Sequence, residues 1–116
     1  MPLESPPMRI AIVDESAAFA AAAAAYIAAL PGCVLAATVE AADVVLFDLG
    51  CTPARGLQAL QRLGALPGAP AIIAMTLFHS PDTASAAVAA GAVGLVGKDT
   101  FAAGLAQALA TLRAGA

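Results

Sequence analysis

Short runs that are apolar on consecutive residues constrain the fold of this chain most strongly. The clearest are DVVLFDL (43–49) and AIIAMT (71–76), and the weaker ones are RIAIV (9–13), CVLAATV (33–39) and AVGLV (92–96). Strands with one face in water alternate apolar and polar residues, whereas strands buried on both faces are apolar throughout. The pattern therefore predicts a mostly parallel five-stranded sheet with helices on both faces, a doubly wound α/β fold.

Helix signals lie between these runs. Predicted helices begin at Ser16 (to Leu30), at Thr52-Pro53 (to about Leu66), at Ser80-Pro81 (to Gly91) and at Asp99 or Thr100 (to about Arg113). Ser, Thr and Asp cap helix N-termini, and proline is favoured at the first helical position. Strands that alternate with helices in this way are typical of open parallel sheets.

The length of 116 residues fits one domain. Residues 1–8 contain three prolines and are predicted to form a flexible tail, and residues 9–116 the domain. The longest apolar run, 17–30, has 14 residues, fewer than the ~20 that a transmembrane helix needs. No basic segment precedes an apolar stretch at the N-terminus, so we expect no signal peptide, no membrane contact and a cytoplasmic location.

Charge and cysteine usage exclude further classes of protein. Five basic and eight acidic residues give a net charge of −3, which does not favour direct binding of nucleic acid by this chain. Cys33 and Cys51 lack the spacing of a metal site, and both are expected to be packed thiols. His79 is expected to be an ordinary loop histidine.

Polar residues cluster where the predicted strands end. Asp14 and Glu15 follow the first strand, Asp48 ends the third, Thr76 ends the fourth, and Lys98, the single lysine, follows the fifth. Parallel strands place their carboxyl ends at one edge of the sheet, where doubly wound folds bind ligands. The sequence therefore predicts three carboxylates, a hydroxyl and an ammonium at one edge.

This combination suits phosphoryl transfer. Neighbouring carboxylates repel each other unless a cation joins them, and oxygen ligands suit Mg²⁺. An aspartate beside Mg²⁺ can attack a phosphoryl group, while a lysine and a hydroxyl stabilise the charge on the transferring oxygens. Hydrolysis fits less well, because only His79 offers a histidine base near this edge. We expect no enzyme activity beyond self-phosphorylation from a donor.

The motifs resemble the receiver domains of bacterial two-component response regulators. The matching segments are IVDES, VVLFDLG with Gly56 eight residues after Asp48, AMT, and AAGAVGLVGKD. Together they cover about residues 9–113 and carry Asp14, Glu15, Thr76 and Lys98. The aspartate after the lysine resembles receivers of LuxR-type regulators. The resemblance implies a flavodoxin-like fold.

The resemblance also implies a role for each site residue. Asp48 would be the phosphoacceptor, supplied by a sensor histidine kinase or a phosphotransfer protein. Mg²⁺ would be held by Glu15, Asp48 and the backbone carbonyl of Gly50, with Asp14 acting through bound water. Thr76 and Lys98 would bind phosphate oxygens. The signal would leave through the face formed by residues 81–113, and the weakly charged first helix suggests a possible homodimer.

The chain departs from the family pattern in ways that support an alternative function. Only about residues 40–42 separate the second and third strands, so we expect the usual helix there to be missing. Either the second strand is irregular, or the crossover is an extended loop. Leu95 replaces the aromatic residue that is usual in the family, and Leu77 replaces the small residue that usually follows the hydroxyl residue, here Thr76. The alternative is a receiver-like module that does not switch and serves protein interaction or dimerisation.

Overall fold

The computed structural model describes residues 6–115, and within this range five strands form one parallel sheet. The strands are β1 (Met8–Val13), β2 (Cys33–Leu35), β3 (Val44–Asp48), β4 (Ala71–Thr76) and β5 (Gly94–Gly97), in the spatial order β2-β1-β3-β4-β5. The predicted doubly wound α/β fold is confirmed.

The connecting helices are α1 (Ala17–Ala29), α2 (Pro53–Gly64), α3 (Pro81–Ala90) and α4 (Phe101–Ala114), the last preceded by a 3₁₀ turn at Lys98–Thr100. Ser16 caps α1 by accepting a hydrogen bond from Phe19 N, and Ser80 caps α3 in the same way through Thr83 N. In the described part of the chain, no helix is long and apolar enough to span a membrane.

Both faces of the sheet are covered, which explains the uninterrupted apolar runs. Ile10, Leu46 and Met75 belong to a core cluster with residues of α1 and α4. Ile72 and Ala74 belong to a second cluster with residues of α2 and α3. Consecutive residues of β4 therefore enter opposite cores, so a polar residue at either position would lie in an apolar layer.

The tail prediction for residues 1–8 needs a correction at its end. Residues 1–5 lie outside the described residues, but Met8 is already part of β1. Met8 pairs with Cys33, and its N–H donates to the Gly32 carbonyl at 2.8 Å. The first strand is therefore longer than the apolar run, because the pairing with β2 recruits one more residue.

The predicted absence of a helix between the second and third strands is confirmed, and the strand boundary explains how the chain crosses. The apolar run 33–39 forms a strand only over Cys33–Leu35, so residues 36–43 are free to cross. Ile10 pairs with Leu35 on one side and with Val44 on the other. The loop therefore spans two strand spacings, about 10 Å, which eight residues can bridge.

The missing helix leaves an exposed edge. Val34 is 42% exposed and Leu35 is 45% exposed, although both lie in a strand. The sheet is therefore only thinly covered at β2. The carboxyl ends of β1, β3, β4 and β5 lie away from this change, and they carry the polar residues considered next.

Candidate functional site

Four strands deliver the predicted side chains to one edge of the sheet. Asp14 follows β1, Asp48 is the last residue of β3, and Thr76 is the last residue of β4. In the sheet register, Asp48 lies opposite Met75, and Thr76 lies opposite Gly97, the residue before Lys98. The parallel topology therefore gathers groups that are as far apart as residues 14 and 98.

Lys98 joins two of the carboxylates. Its Nζ lies 2.7 Å from Asp14 Oδ2 and 3.1 Å from Asp48 Oδ1. The three side chains are 9%, 0% and 12% exposed, respectively. Electrostatic attraction is stronger at sites shielded from water than at the surface, so the ammonium offsets the repulsion between the two acids. The predicted convergence of Asp14, Asp48 and Lys98 is present in the structure.

The ionisation of Lys98 reflects this pairing. Burial acts to lower the pKa of Lys98, but the short contacts with Asp14 and Asp48 and their negative charges outweigh that effect. The net result is a pKa of Lys98 above its ordinary value. Lys98 is therefore a permanent cation at this edge at physiological pH.

Asp14 also organises the start of α1. Its Oδ1 accepts a hydrogen bond from Ser16 N at 2.8 Å, and Ser16 then caps the helix. Its Oδ2 is buried without an aligned hydrogen-bond donor, although the Lys98 ammonium lies close to it. The charge of this buried oxygen is therefore balanced by Lys98.

An open cleft of about 520 Å³ adjoins the carboxylates, and Glu15, Asp48 and Gly50 line it. Glu15 is exposed. Gly50 has a φ of +76°, a conformation that L side chains rarely adopt. This turn takes the loop after β3 away from the sheet. The predicted ligands Glu15 and Gly50 therefore border the same cleft as Asp48.

These residues fit Mg²⁺ as donors, although they do not form a preassembled cluster. Among residues 6–115, no three His, Cys, Asp or Glu side chains converge as a metal site. Mg²⁺ is commonly bound through one or two carboxylates and several water molecules, so it does not need such a cluster. The carboxylates of Asp14 and Asp48, together with the cleft beside Asp48, provide that chemistry.

Gly56 explains how α2 approaches this loop. A Cβ at this position would lie 2.1 Å from Leu49 O and 2.6 Å from Leu49 Cα. Only glycine lets the first turn of α2 pack directly on the residue after Asp48. The glycine that the motif comparison singled out is therefore required by close backbone packing.

The segment after β4 differs from the acidic centre in its exposure. Thr76 is buried at the end of β4, one residue beyond the partner of Asp48 in the register. The next two residues are exposed: Leu77, and Phe78 with 85% of its surface accessible. Leu95 is partly buried against the core cluster on the α2 and α3 side of the sheet.

Sequence reasoning missed one contact of the site and misjudged one cysteine. Phe19, which none of the motifs singles out, lies with its ring centroid 4.5 Å from Lys98 Nζ. The only sequence feature that indicates where Phe19 lies is its position three residues after Ser16, the residue that caps α1. Cys33 is buried as expected, but Cys51 is exposed, because the loop turns outward at Gly50.

Comparisons with known proteins find similar solved structures but no matching family model or curated protein. No family model matches the chain, and no curated protein matches it. A LuxR-family two-component response regulator from Aurantimonas sp. SI85-9A1 is 27% identical with a TM-score of 0.77, over 94% of this chain and 86% of that one.

Two further solved structures are similar. The signal receiver domain of a DNA-binding response regulator from Colwellia psychrerythraea 34H is 24% identical with a TM-score of 0.71, over 90% of this chain and 97% of that one. A chain from the complex of the CheA3 P1 domain with CheY6 from R. sphaeroides is 24% identical with a TM-score of 0.74, over 95% of this chain and 99% of that one. The predicted resemblance is confirmed: this chain has the receiver-domain fold of two-component response regulators.

Proposed function

We propose that this chain is a phosphoacceptor domain that receives a phosphoryl group on Asp48 from a histidine kinase or a phosphotransfer protein. The observation that supports it most is the Lys98 ammonium, which contacts both Asp14 and Asp48 beside an open cleft. A cation next to the acceptor carboxylate is placed to stabilise the charge that gathers during transfer. We place the exchange in the cytoplasm.

In the proposed reaction, a carboxylate oxygen of Asp48 attacks the phosphorus of a phosphohistidine. The bond between phosphorus and nitrogen breaks, and the imidazole nitrogen leaves with the electron pair and takes up a proton. Lys98 contacts Oδ1 of Asp48, so we assign Oδ2 to the attack. The product is an acyl phosphate, and one transfer per chain is expected rather than catalytic turnover.

Two residues are assigned to the oxygens of the transferred group. Lys98 already lies at the acceptor, and its positive charge persists at physiological pH. Thr76 is assigned because it ends the strand next to that of Asp48 and lies opposite Gly97 in the register. A hydroxyl and an ammonium together supply the donors that a phosphoryl group needs.

The proposed metal is Mg²⁺, held by Glu15, Asp48 and the carbonyl of Gly50, with Asp14 acting through water. When bound, the ion supplies positive charge that reduces the repulsion between these carboxylates and an incoming phosphoryl group. The chain itself positions the cation, because Asp14 and Asp48 hold Lys98 next to the cleft that Gly50 borders.

Phosphorylation with a small donor tests the proposal. The protein is incubated with Mg²⁺ and acetyl phosphate, and its intact mass is measured beside Asp48→Asn and Asp43→Asn. Asp43 is the matched control, because it is an exposed aspartate directly before the strand that ends at Asp48. We expect one phosphoryl adduct on the parent and on Asp43→Asn, and none on Asp48→Asn.

Absence of the adduct from the parent, together with no heat of Mg²⁺ binding in calorimetry, would contradict the proposal. An adduct that persists in Asp48→Asn would place the acceptor elsewhere.

A second candidate function is a protein-interaction module that does not switch. Phe78 and Leu77 favour it, because two large apolar side chains next to Thr76 are left in water. Sedimentation of phosphorylated and unphosphorylated protein separates the two functions. Association that is equal in both states and is lost in Phe78→Ser would favour the interaction module. Association that depends on phosphorylation would favour a switch.

A further inference from the structure

The aromatic ring of Phe19 lies against the charged group of Lys98. Its centroid is 4.5 Å from Lys98 Nζ, within the ~6 Å at which a cation is attracted to the face of an aromatic ring. Lys98 is only 9% exposed, so water screens this attraction weakly. We propose that Phe19 is a positioning residue that holds the Lys98 ammonium in place between Asp14 and Asp48.

The backbone fixes Phe19 relative to the acidic centre. Ser16 N donates to Asp14 Oδ1 at 2.8 Å, and Phe19 N donates to Ser16 Oγ at 3.2 Å. The carboxylate that contacts Lys98 therefore also sets the start of the helix that carries the ring. Asp14 and Phe19 therefore contact the same ammonium, and hydrogen bonds through Ser16 connect the two residues.

The turn after β5 holds the ring from a second side. Lys98 begins a 3₁₀ turn, and Phe101 follows three residues later. Side chains three residues apart in such a turn lie on the same side. The Phe101 ring meets Phe19 edge to face, with centroids 5.3 Å apart and an interplanar angle of 83°. The segment 98–101 thus provides both the Lys98 ammonium and the Phe101 ring that packs against Phe19.

Phe19, Phe101 and Tyr26 form an aromatic cluster, but Tyr26 is not proposed to position Lys98. Its ring packs on Phe101 at 5.8 Å and 70°, and its hydroxyl lies 3.5 Å from the Ala102 carbonyl. Tyr26 therefore offers a matched control: its removal weakens the packing between α1 and α4 but takes no ring from Lys98. If Phe19 has only a packing role, Phe19→Leu and Tyr26→Leu should slow phosphorylation to a similar extent. If Phe19 positions Lys98, only Phe19→Leu should slow it strongly.

This inference rests on the proposed function for its kinetic consequence but not for the contact itself. Lys98 is the only lysine in the sequence, so protein labelled with ¹³C-lysine gives one set of side-chain resonances. A methylene held over a ring face is shifted upfield by the ring current. We expect this shift in the parent, in Phe19→Tyr and in Tyr26→Leu, and a shift typical of free lysine in Phe19→Leu.

The phosphorylation rate with acetyl phosphate tests the consequence. We expect Phe19→Leu to be slowed about tenfold, which is the size of effect expected for a shielded cation–π contact, while Phe19→Tyr and Tyr26→Leu stay within about twofold. Fluorinated phenylalanines at position 19 keep the shape of the ring but weaken its negative face. The rate should fall stepwise as fluorine atoms are added.

Three results would overturn the inference: a free-lysine shift in the parent, equal rates across the fluorinated series, or equal losses in Phe19→Leu and Tyr26→Leu. Failure of the proposed function looks different, because the parent would then form no adduct while the Lys98 resonances still report whether the ring holds the ammonium.

Discussion

Arg9 and Asp43 fasten the crossover that replaces a helix between β2 and β3. The Asp43 carboxylate accepts hydrogen bonds from Arg9 N at 2.9 Å, Nε at 3.3 Å and Nη2 at 3.1 Å. The Asp43 N–H donates in return to the Arg9 carbonyl at 2.8 Å. A loop of eight residues therefore meets β3 at a defined register, with its last residue bound to the neighbouring strand.

Asp43→Asn is expected to lower the urea midpoint at neutral pH. Hydrogen bonds from the Arg9 side chain and backbone, together with its charge, hold the pKa of Asp43 below its ordinary value. A carboxyl whose pKa is lower in the folded state stabilises the fold at neutral pH, and this stabilisation is lost as the pH falls below about 4. The difference from the parent should therefore shrink between pH 5 and pH 3.

Glu40→Gln is the control, because it removes an exposed acid from the same loop. It should leave the urea midpoint nearly unchanged. A deficit of Asp43→Asn that is the same at pH 3 as at pH 7 would show that the charge of Asp43 is not involved.

Lys98→Met is expected to destabilise the protein by about 2 kcal/mol at neutral pH. Removing one partner of a buried ion pair leaves uncompensated charge, and the loss is smaller here than at a fully buried pair because Asp48 borders the cleft. The double variant Lys98→Met/Asp14→Asn should recover part of the loss, since only one carboxylate remains. Urea unfolding of the three proteins at pH 7 measures both effects, and no recovery in the double variant would argue against charge repulsion.

Gly56→Ala is expected to cost about 2–3 kcal/mol, because its Cβ would overlap the backbone of Leu49 and α2 would have to move. Gly64→Ala in the same helix is the matched control. Its Cβ would lie 3.6 Å from Ile72 Cδ1, an ordinary contact, so its stability should change by less than about 1 kcal/mol. Thermal unfolding of both variants checks the contrast. Equal losses would mean that the close approach to Leu49 does not set the cost, since helix propensity favours alanine over glycine at both positions.

Thr76→Val is expected to slow acyl phosphate formation severalfold while stability changes by less than about 1.5 kcal/mol, since the substitution removes one hydroxyl and a typical hydrogen bond contributes no more than this. Thr83→Val is the control, because the Thr83 hydroxyl pairs with Ser80 Oγ at the start of α3 and not with the acidic centre. Time courses of intact mass with acetyl phosphate should separate the two. Slowing that is equal in both variants would indicate a general effect on the β4–α3 region.

Local patterns were enough to predict most elements and the location of the site. AIIAMT forms a strand with the predicted bounds, and Ser16 and Ser80 cap the helices that follow them. Each depends on residues close together in the chain: an apolar run, or an oxygen three residues from the N–H that it accepts. The convergence of Asp14, Asp48 and Lys98 could also be predicted, because parallel strands end at a common edge.

Other features were decided by contacts between distant residues. The run CVLAATV keeps only three residues in β2, because the chain needs the rest to cross to the other side of β1.

The sequence by itself therefore determined the order of the elements, the doubly wound fold and the edge that carries the polar groups, since these follow from periodicity, capping and the direction of parallel strands. Only the tertiary structure decided how residues 36–43 cross, that Cys51 faces solvent and that Phe19 lies against Lys98. The physical reason is that a contact between positions 19 and 98 depends on how α1 and the turn after β5 pack on the same face of the sheet, and no local pattern in either segment encodes that distance.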